Sequence, residues 1–338
     1  MSFKKFIKIT NNQYISNSHQ TFIIAEVGIN HEGKYANCIK LISNANKAGA
    51  DAVKIQLARA VNNYKENSKS FKIYKKSELS ENEIYKLFKF SRKKNIILFA
   101  TCDKYYLNIV KKLNQKIFKI SSSQAQDLNI IKKINNLNKP MLISTGMNKS
   151  DDILELIKYL KKLRNKKIIL MHCISKYPLK NSETNLEMIE FYKKKFNGII
   201  GYSDHTTGIE ATVYAALKGA KVIEKHFTLD NKRKGFDHKI SLNFKKFKEM
   251  VLKIKEAETF LGNIKINDEN KSKKEITSLK RTYFLNKSFK KGKKLKIDDI
   301  TTKRIGKNSS LKNLLKLIGK KAAKDLLDGS EINENKFI

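Results

Sequence analysis

The chain has 338 residues, enough for one large domain or two unequal ones, and no apolar run reaches the ~20 residues that a membrane-spanning helix needs. MSFKKFIKIT lacks the features of a signal peptide, and Cys38, Cys102 and Cys173 lack C-x-x-C spacing, so a reducing, cytoplasmic address is expected, without disulfides or structural zinc. The formal net charge of +39 does not amount to a nucleic-acid footprint: it comes mostly from lysines on outer helix faces (KYLKKLRNKK, NFKKFKEMVLKIKE), with arginine only at Arg59, Arg92, Arg164, Arg233, Arg281 and Arg304.

The first 18 or so residues read as a short hairpin. Beyond them, β-rich runs alternate with amphipathic segments of helical length. In order, the runs are TFIIAEVG, DAVKIQL, NIILFATC, KIFKISS, PMLIST, KIILMHC, GIIGYSD and KVIEKHF. Between them lie stretches such as YANCIKLISNANKAGA, ENEIYKLFKFSRKK, DDILELIKYLKKL and GIEATVYAALKGA, whose apolar residues recur at intervals of three and four. Near-continuous apolar strands imply burial on both faces, as in a parallel sheet. Eight such pairs predict an α/β fold, a (β/α)8 TIM barrel, over residues 1–262, with a doubly wound open sheet as the competing architecture. Residues 263–280 form a polar linker, and 281–338 a small second module of short strands around a Gly turn, ending in the helix-like LKNLLKLIGKKAAKDL.

In a barrel of this kind the chemistry sits at the C-terminal ends of the strands. Those ends present Glu26; Lys54 and Gln56; Thr101; Lys119 and Ser122; Ser144 and Thr145; His172, with Tyr177 in the loop beyond; Ser203, Asp204 and His205; and Glu224, Lys225 and His226. Strands seven and eight each carry a histidine to the same rim. Two imidazoles with open positions suit a divalent cation that also binds substrate oxygen. Lys54 and Lys119 interrupt apolar strands, where a charge is costly unless paired. Facing the mouth together, they would hold a phosphate and a carboxylate, with hydroxyls from Thr101, Ser122, Ser144 and Ser203 as further donors.

With IIAEVGINHEGKYANCIKLISNANKAGADAVKIQ, KISSSQ, LISTGM, MHCISKYP, IGYSDHTTGIEA and GAKVIEKHFTLD followed by KGFDHKISL, all in order, the chain resembles the sialic acid synthase family. Its tail KKGKKLKIDDITTKRIGKN is similar to that family's C-terminal antifreeze-protein-like (SAF) domain. The resemblance implies an enzyme that condenses phosphoenolpyruvate with an N-acyl hexosamine, using a divalent metal, to give a nine-carbon 2-keto sugar acid and phosphate. It implies His205 and His226 as metal ligands, with Mn2+ expected and Mg2+ or Co2+ as alternates. Lys54, Thr101, Lys119, Ser122, Ser144 and Ser203 match the phosphoenolpyruvate positions. Glu26 and Asp237 match catalytic carboxylates, and Gln56, Tyr177 and Arg304 match sugar contacts. Arg304 would reach the other subunit's site in a domain-swapped homodimer; no nucleic-acid or membrane partner is implied.

The chain departs from the family in three places. Gln124 stands where relatives usually place an acid, KGFD and KRIG lack the usual prolines, and the connection after VKIQL is shorter than in many relatives. Within the family, N-acetylneuraminate and legionaminate synthesis are the expected branches from GFDHKISL. Two other readings compete: a Schiff-base aldolase using Lys54 or Lys119, and a basic carbohydrate- or nucleic-acid-binding relative that has lost catalysis.

Overall fold

The chain begins with an antiparallel hairpin, β1 (Phe6–Lys8) against β2 (Tyr14–Ser16). In the computed structural model, which describes residues 2–262, 279–307 and 309–338, eight parallel strands follow. They are β3 (Phe22–Gly28), β4 (Ala52–Leu57), β5 (Ile97–Cys102), β6 (Phe118–Ile120), β7 (Met141–Ser144), β8 (Ile168–Cys173), β9 (Ile199–Asp204) and β10 (Val222–His226). β10 pairs back onto β3, so the sheet closes into a barrel. The open-sheet alternative is thereby excluded.

Every residue of β5, β8, β9 and β10 is buried, which accounts for the apolar lettering that runs up to their polar C-terminal ends: one face meets the helices and the other the barrel interior. Alternation along each strand sorts the two sets. Phe22, Ile24, Ala52, Phe99, Leu142, Ile169, Met171, Ile199 and Val222 point inward near the strand starts, and Ile7, Ile9 and Ile15 of the hairpin join their cluster. Hydrocarbon thus plugs the N-terminal end of the barrel. The inward positions nearer the C-terminal end are left for polar residues.

The surrounding helices are α1 (Tyr35–Lys47), α2 (Ala60–Asn63), α3 (Lys69–Ser77), α4 (Glu81–Lys93), α5 (Lys104–Lys112), α6 (Leu128–Asn135), α7 (Ser150–Lys162), α8 (Glu187–Phe196), α9 (Glu210–Leu217) and α10 (Phe244–Leu261). Their starts follow local chemistry. Ser80 and Glu83 form a reciprocal capping box on α4, and the Asp103 carboxylate accepts the Tyr105 and Tyr106 N–H groups at the head of α5. No helix among the described residues is long and apolar enough to cross a membrane. The three cysteines are buried and free.

The chain divides into two compact units, Met1–Gly262 and Asn263–Ile338. Most of the expected linker, residues 263–278, lies outside the described residues. The second unit pairs β11 (Arg281–Leu285) with β12 (Ile300–Arg304) in antiparallel register. Its core gathers Leu285, Phe289, Leu295, Leu314, Leu317, Ala322, Leu326, Ile332 and Phe337. The helix expected across LKNLLKLIGKKAAKDL is much shorter: α11 covers Leu311–Leu317 only. Gly319 turns the chain at φ +83° and its N–H donates to the Leu295 carbonyl. The following residues then bridge to Lys294 and Phe337 instead. A continued helix would pull Ala322 and Leu326 out of this small core.

His31, in the connection from β3 to α1, carries a consequence for acid stability. Its ring is buried, and its Nδ1 accepts the Gly33 N–H at 3.1 Å. Burial lowers its pKa from 6.5 to about 4, against an opposing pull from Glu83. Between those values the unfolded chain binds a proton that the folded chain does not, so stability falls as pH drops from 6.5 toward 4. At ~1.4 kcal/mol per unit the loss from this ring approaches about 3 kcal/mol. Urea unfolding at a series of pH values is expected to show that decline, with a shallower slope in His31→Gln. An identical slope in the variant would contradict the assignment.

Candidate active site

Alternation decides which strand-end residues reach the barrel mouth. Glu26, Lys54, Gln56, Thr101, Lys119, Ser122, Ser144, Tyr177, Ser203, His205, Glu224 and His226 line one cavity of about 60 Å3. Four strand-end residues face the helix layer instead. Thr145 bonds to Tyr192. His172 places Nε2 2.8 Å from the Thr184 carbonyl and stacks on Tyr202. Asp204 and Lys225 form a buried pair with Tyr202 and Thr206 around it. The flanking residues on these strands explain the sorting: in SDH and EKH the middle residue points away from the lumen.

At the floor of the cavity, four charges alternate. Lys54 Nζ lies 2.8 Å from Glu26 Oε2 and 2.9 Å from Glu224 Oε1. Lys119 Nζ lies 2.7 and 2.8 Å from the two oxygens of Glu224, which also accepts from Ser203 Oγ at 2.9 Å. All four ionisable residues are buried. Burial alone would raise the Glu224 carboxyl, but Lys119 and Lys54 together hold it well below the usual carboxylate range. Glu224 is therefore the hub of the cradle, a part that the sequence reading did not assign to it although it placed the residue at the strand end, two before His226. Each ammonium has three N–H donors, and the contacts above leave one on each for an incoming anion. The Thr101 hydroxyl has no partner among the described residues. Ser122 Oγ accepts the Gly146 N–H at 3.1 Å.

Above the cradle, the rings of His205 and His226 stand 5.6 Å apart between centroids, on adjacent strands. His205 Nδ1 bonds the Ile174 carbonyl at 2.7 Å, which makes Nδ1 the protonated nitrogen and leaves Nε2 with its lone pair. Burial lowers the His205 pKa, against pulls from Ile174, Asp204 and Glu224. Burial lowers that of His226 well below 6.5, with His205 and Lys54 adding to the effect. Both rings are neutral at pH 7, the form that ligates metals. His226 Nδ1 is buried without a hydrogen-bond partner among the described residues. No group of three or more His, Cys, Asp or Glu assembles around one point among those residues. The donor set fits a divalent ion held by two imidazoles, its other positions open to substrate or water.

Two carboxylates border the imidazoles. Asp237 Oδ2 lies 3.7 Å from His226 Nδ1, and burial raises its pKa to about 6. Glu26 Oε1 is buried and unpartnered among the described residues. Gly28 makes room for both: at φ +55°, a Cβ there would come within 2.9 Å of Glu26 Oε1 and 3.4 Å of Asp237 Oδ2. The register of β3 against β4 shifts between Glu26 and Gly28, the kind of irregularity that re-aims side chains. Glycine at the end of EVG is thus part of the site.

A wider vestibule of about 270 Å3 adjoins the cavity, sharing Gln56, Thr101, Ser122 and Tyr177 with it. The Tyr177 ring lies 4.2 Å from that of His205. Gln124 lines this vestibule, but its amide is committed: Nε2 donates to the Cys102 carbonyl at 3.1 Å, and Oε1 accepts from Ser121 Oγ at 3.0 Å. A carboxylate there would set acceptor against acceptor. Gln124→Glu is expected to cost about 1–3 kcal/mol in urea unfolding; an unchanged midpoint would contradict a positioning role for the amide. Arg304 lies on β12 of the second unit, opposite Arg281.

Comparisons with known proteins bear on the family and the fold. The NeuB family model matches residues 41–266. The chain is 32% identical over 334 residues to the pseudaminic acid synthase of Campylobacter jejuni, covering 94% of this chain and 97% of that protein. To the N,N'-diacetyllegionaminic acid synthase of the same species it is 33% identical over 332 residues, covering 93% and 99%. Among solved structures, the N-acetylneuraminic acid (sialic acid) synthetase of Leptospira borgpetersenii superposes with a TM-score of 0.75 at 32% identity, over 81% of this chain and 96% of that one. Barrel, rim histidines and family match converge on one conclusion: the chain belongs to the NeuB family.

Proposed function

We propose that this protein condenses phosphoenolpyruvate with an N-acyl hexosamine, N-acetylmannosamine or a close analogue, to a nine-carbon 2-keto sugar acid and inorganic phosphate. The observation that carries the reading is the stack of two neutral imidazoles from adjacent strands over a cradle of two buried ammoniums. The relatives named as synthases of pseudaminic, legionaminic and N-acetylneuraminic acids support the same reaction class. Legionaminate or another bacterial nonulosonate is the alternative product.

Lys54, Lys119, Thr101, Ser122, Ser144 and Ser203 bind the phosphate and carboxylate of phosphoenolpyruvate. Fixed donors in a buried site stabilise developing charge without reorganising. His205 and His226 would hold a divalent ion, Mn2+ by preference with Mg2+ or Co2+ as alternates, which would supply Lewis-acid polarisation of the open-chain sugar's aldehyde. Carbon 3 of phosphoenolpyruvate attacks that carbon, forming the new C–C bond and leaving a cationic carbon 2. Glu26 and Asp237 border both reacting centres and move the protons: of the two that leave the water adding at carbon 2, one goes to the new hydroxyl and the other departs with phosphate. The tetrahedral adduct then breaks its C–O bond and expels phosphate. Gln56 and Tyr177 hold the sugar, and Arg304 completes its site across a domain-swapped homodimer. Phosphoenolpyruvate labelled with heavy oxygen at the bridging position tests this chemistry: the label is expected in phosphate, and its retention in the keto acid would refute C–O cleavage.

One observation favours a Schiff-base reading. Burial, outweighing the pull of Glu224, lowers the Lys54 pKa to about 7, as a nucleophilic amine requires. Yet its Nζ is clasped between two carboxylates at 2.8 and 2.9 Å, contacts that a carbonyl substrate would have to displace, and the reading leaves both imidazoles unused. Borohydride trapping with a carbonyl substrate is expected to label nothing.

A further inference from the structure

The vestibule has a wall that the roles above leave unused. The short connection from β4 to α4 is tied down at both ends. The Arg59 N–H and Asn63 Nδ2 donate to Asp103 Oδ2 at 2.9 and 2.8 Å, and the Ala60 N–H donates to Glu78 Oε1 at 2.9 Å. Between these ties Tyr64 and Tyr74 pack ring on ring, centroids 4.6 Å apart and planes inclined by 30°. Both are half-buried and line the same vestibule as Gln56 and Tyr177. The Tyr74 hydroxyl donates to Gln56 Oε1 at 3.1 Å.

That bond has a directional consequence. A primary amide presents one acceptor oxygen and two N–H donors. With its oxygen held by Tyr74, Gln56 offers donors to whatever occupies the vestibule. We propose that Tyr74 positions Gln56 as a hydrogen-bond donor to an acyl carbonyl or hydroxyl oxygen of the sugar, and that the packed Tyr64–Tyr74 faces select a methyl-bearing substituent over a hydroxylated one. This rests on the hexosamine reading of the site and deepens it. A hydroxyl pressed against ring faces gives up water without gaining a partner, and apolar walls discriminate against one extra hydroxyl by about tenfold to a hundredfold.

The test uses the full chain with its divalent metal and two substrate pairs that differ by a single hydroxyl: N-acetyl against N-glycolyl hexosamine, and 6-deoxy against 6-hydroxy hexosamine. The wild-type protein is expected to favour the less hydroxylated member of at least one pair by about tenfold in kcat/KM, and Tyr64→Ala to flatten that preference. Tyr74→Phe keeps the ring and removes only the donor. It is expected to raise the sugar KM about fivefold to tenfold, the worth of one neutral hydrogen bond, with the phosphoenolpyruvate KM and kcat nearly unchanged. In a Gln56→Ala background, Tyr74→Phe is expected to add nothing. No preference in either pair, an equal shift in the phosphoenolpyruvate KM, or a full Tyr74→Phe effect without Gln56 would each overturn the proposal while leaving the condensation intact. Failure of the wild type to turn over any N-acyl hexosamine would instead sink the hexosamine reading, and this one with it.

Discussion

Glu224→Gln is expected to destabilise the barrel by about 3–5 kcal/mol while tightening its grip on phosphate. Glu224 is the only carboxylate in contact with Lys119 among the described ion pairs, and it shares Lys54 with Glu26. Neutralising it leaves two ammoniums buried with a single carboxylate between them, and breaking a buried pair by removing one partner carries a cost of that size. The same change makes the cradle net positive, so an anion becomes a better partner than in the wild type. Inorganic phosphate should therefore shift the urea midpoint of the variant more than that of the wild type. A loss under about 1 kcal/mol, well below the buried-pair range, or a phosphate effect no larger than in the wild type, would show that the cradle is not organised around Glu224. Glu26→Gln is expected to cost less, since Lys54 is the only ion-pair partner of that carboxylate among the described residues.

The second large effect concerns the imidazoles. His205→Ala and His226→Ala are each expected to lower turnover by at least about a thousandfold, since Lewis-acid polarisation contributes several kcal/mol to such a step. Two ligands of one ion would act as a unit, so the double variant is expected to be no slower than the worse single one. Manganese binding, followed by titration calorimetry, should be lost together with activity. Multiplying losses in the double variant, or single variants that keep full manganese affinity, would contradict a shared ion.

The barrel was legible because hydrophobic burial writes itself onto the chain: strands enclosed on both faces are nearly continuous apolar runs, and all eight fall where the lettering places them. The mouth was legible in part. Lys54 and Lys119 stand out as charges inside apolar strands, and the cavity gathers both. Inward and outward residues at a strand end look alike in letters, so His172, Asp204 and Lys225 read as candidates until the pleat turned them away. Counting by twos back from His226 reaches Glu224, which the strand-end reading named without separating it from the outward Lys225 or giving it a role. Gly28 and Gln124 were less accessible. The first matters for the space it leaves beside two carboxylates brought together from distant parts of the chain, and the second for a carbonyl on another strand. The early end of α11 follows from a core that exists only once the second unit has folded.

The most direct measurement is phosphate release by the purified full chain given phosphoenolpyruvate and an N-acyl hexosamine, with manganese and then with excess chelator. Release that needs both substrates, stops on chelation and returns with added manganese is the predicted result. Release indifferent to chelation, or none with any N-acyl hexosamine tried, would contradict the paired-imidazole, paired-ammonium site on which the functional reading stands.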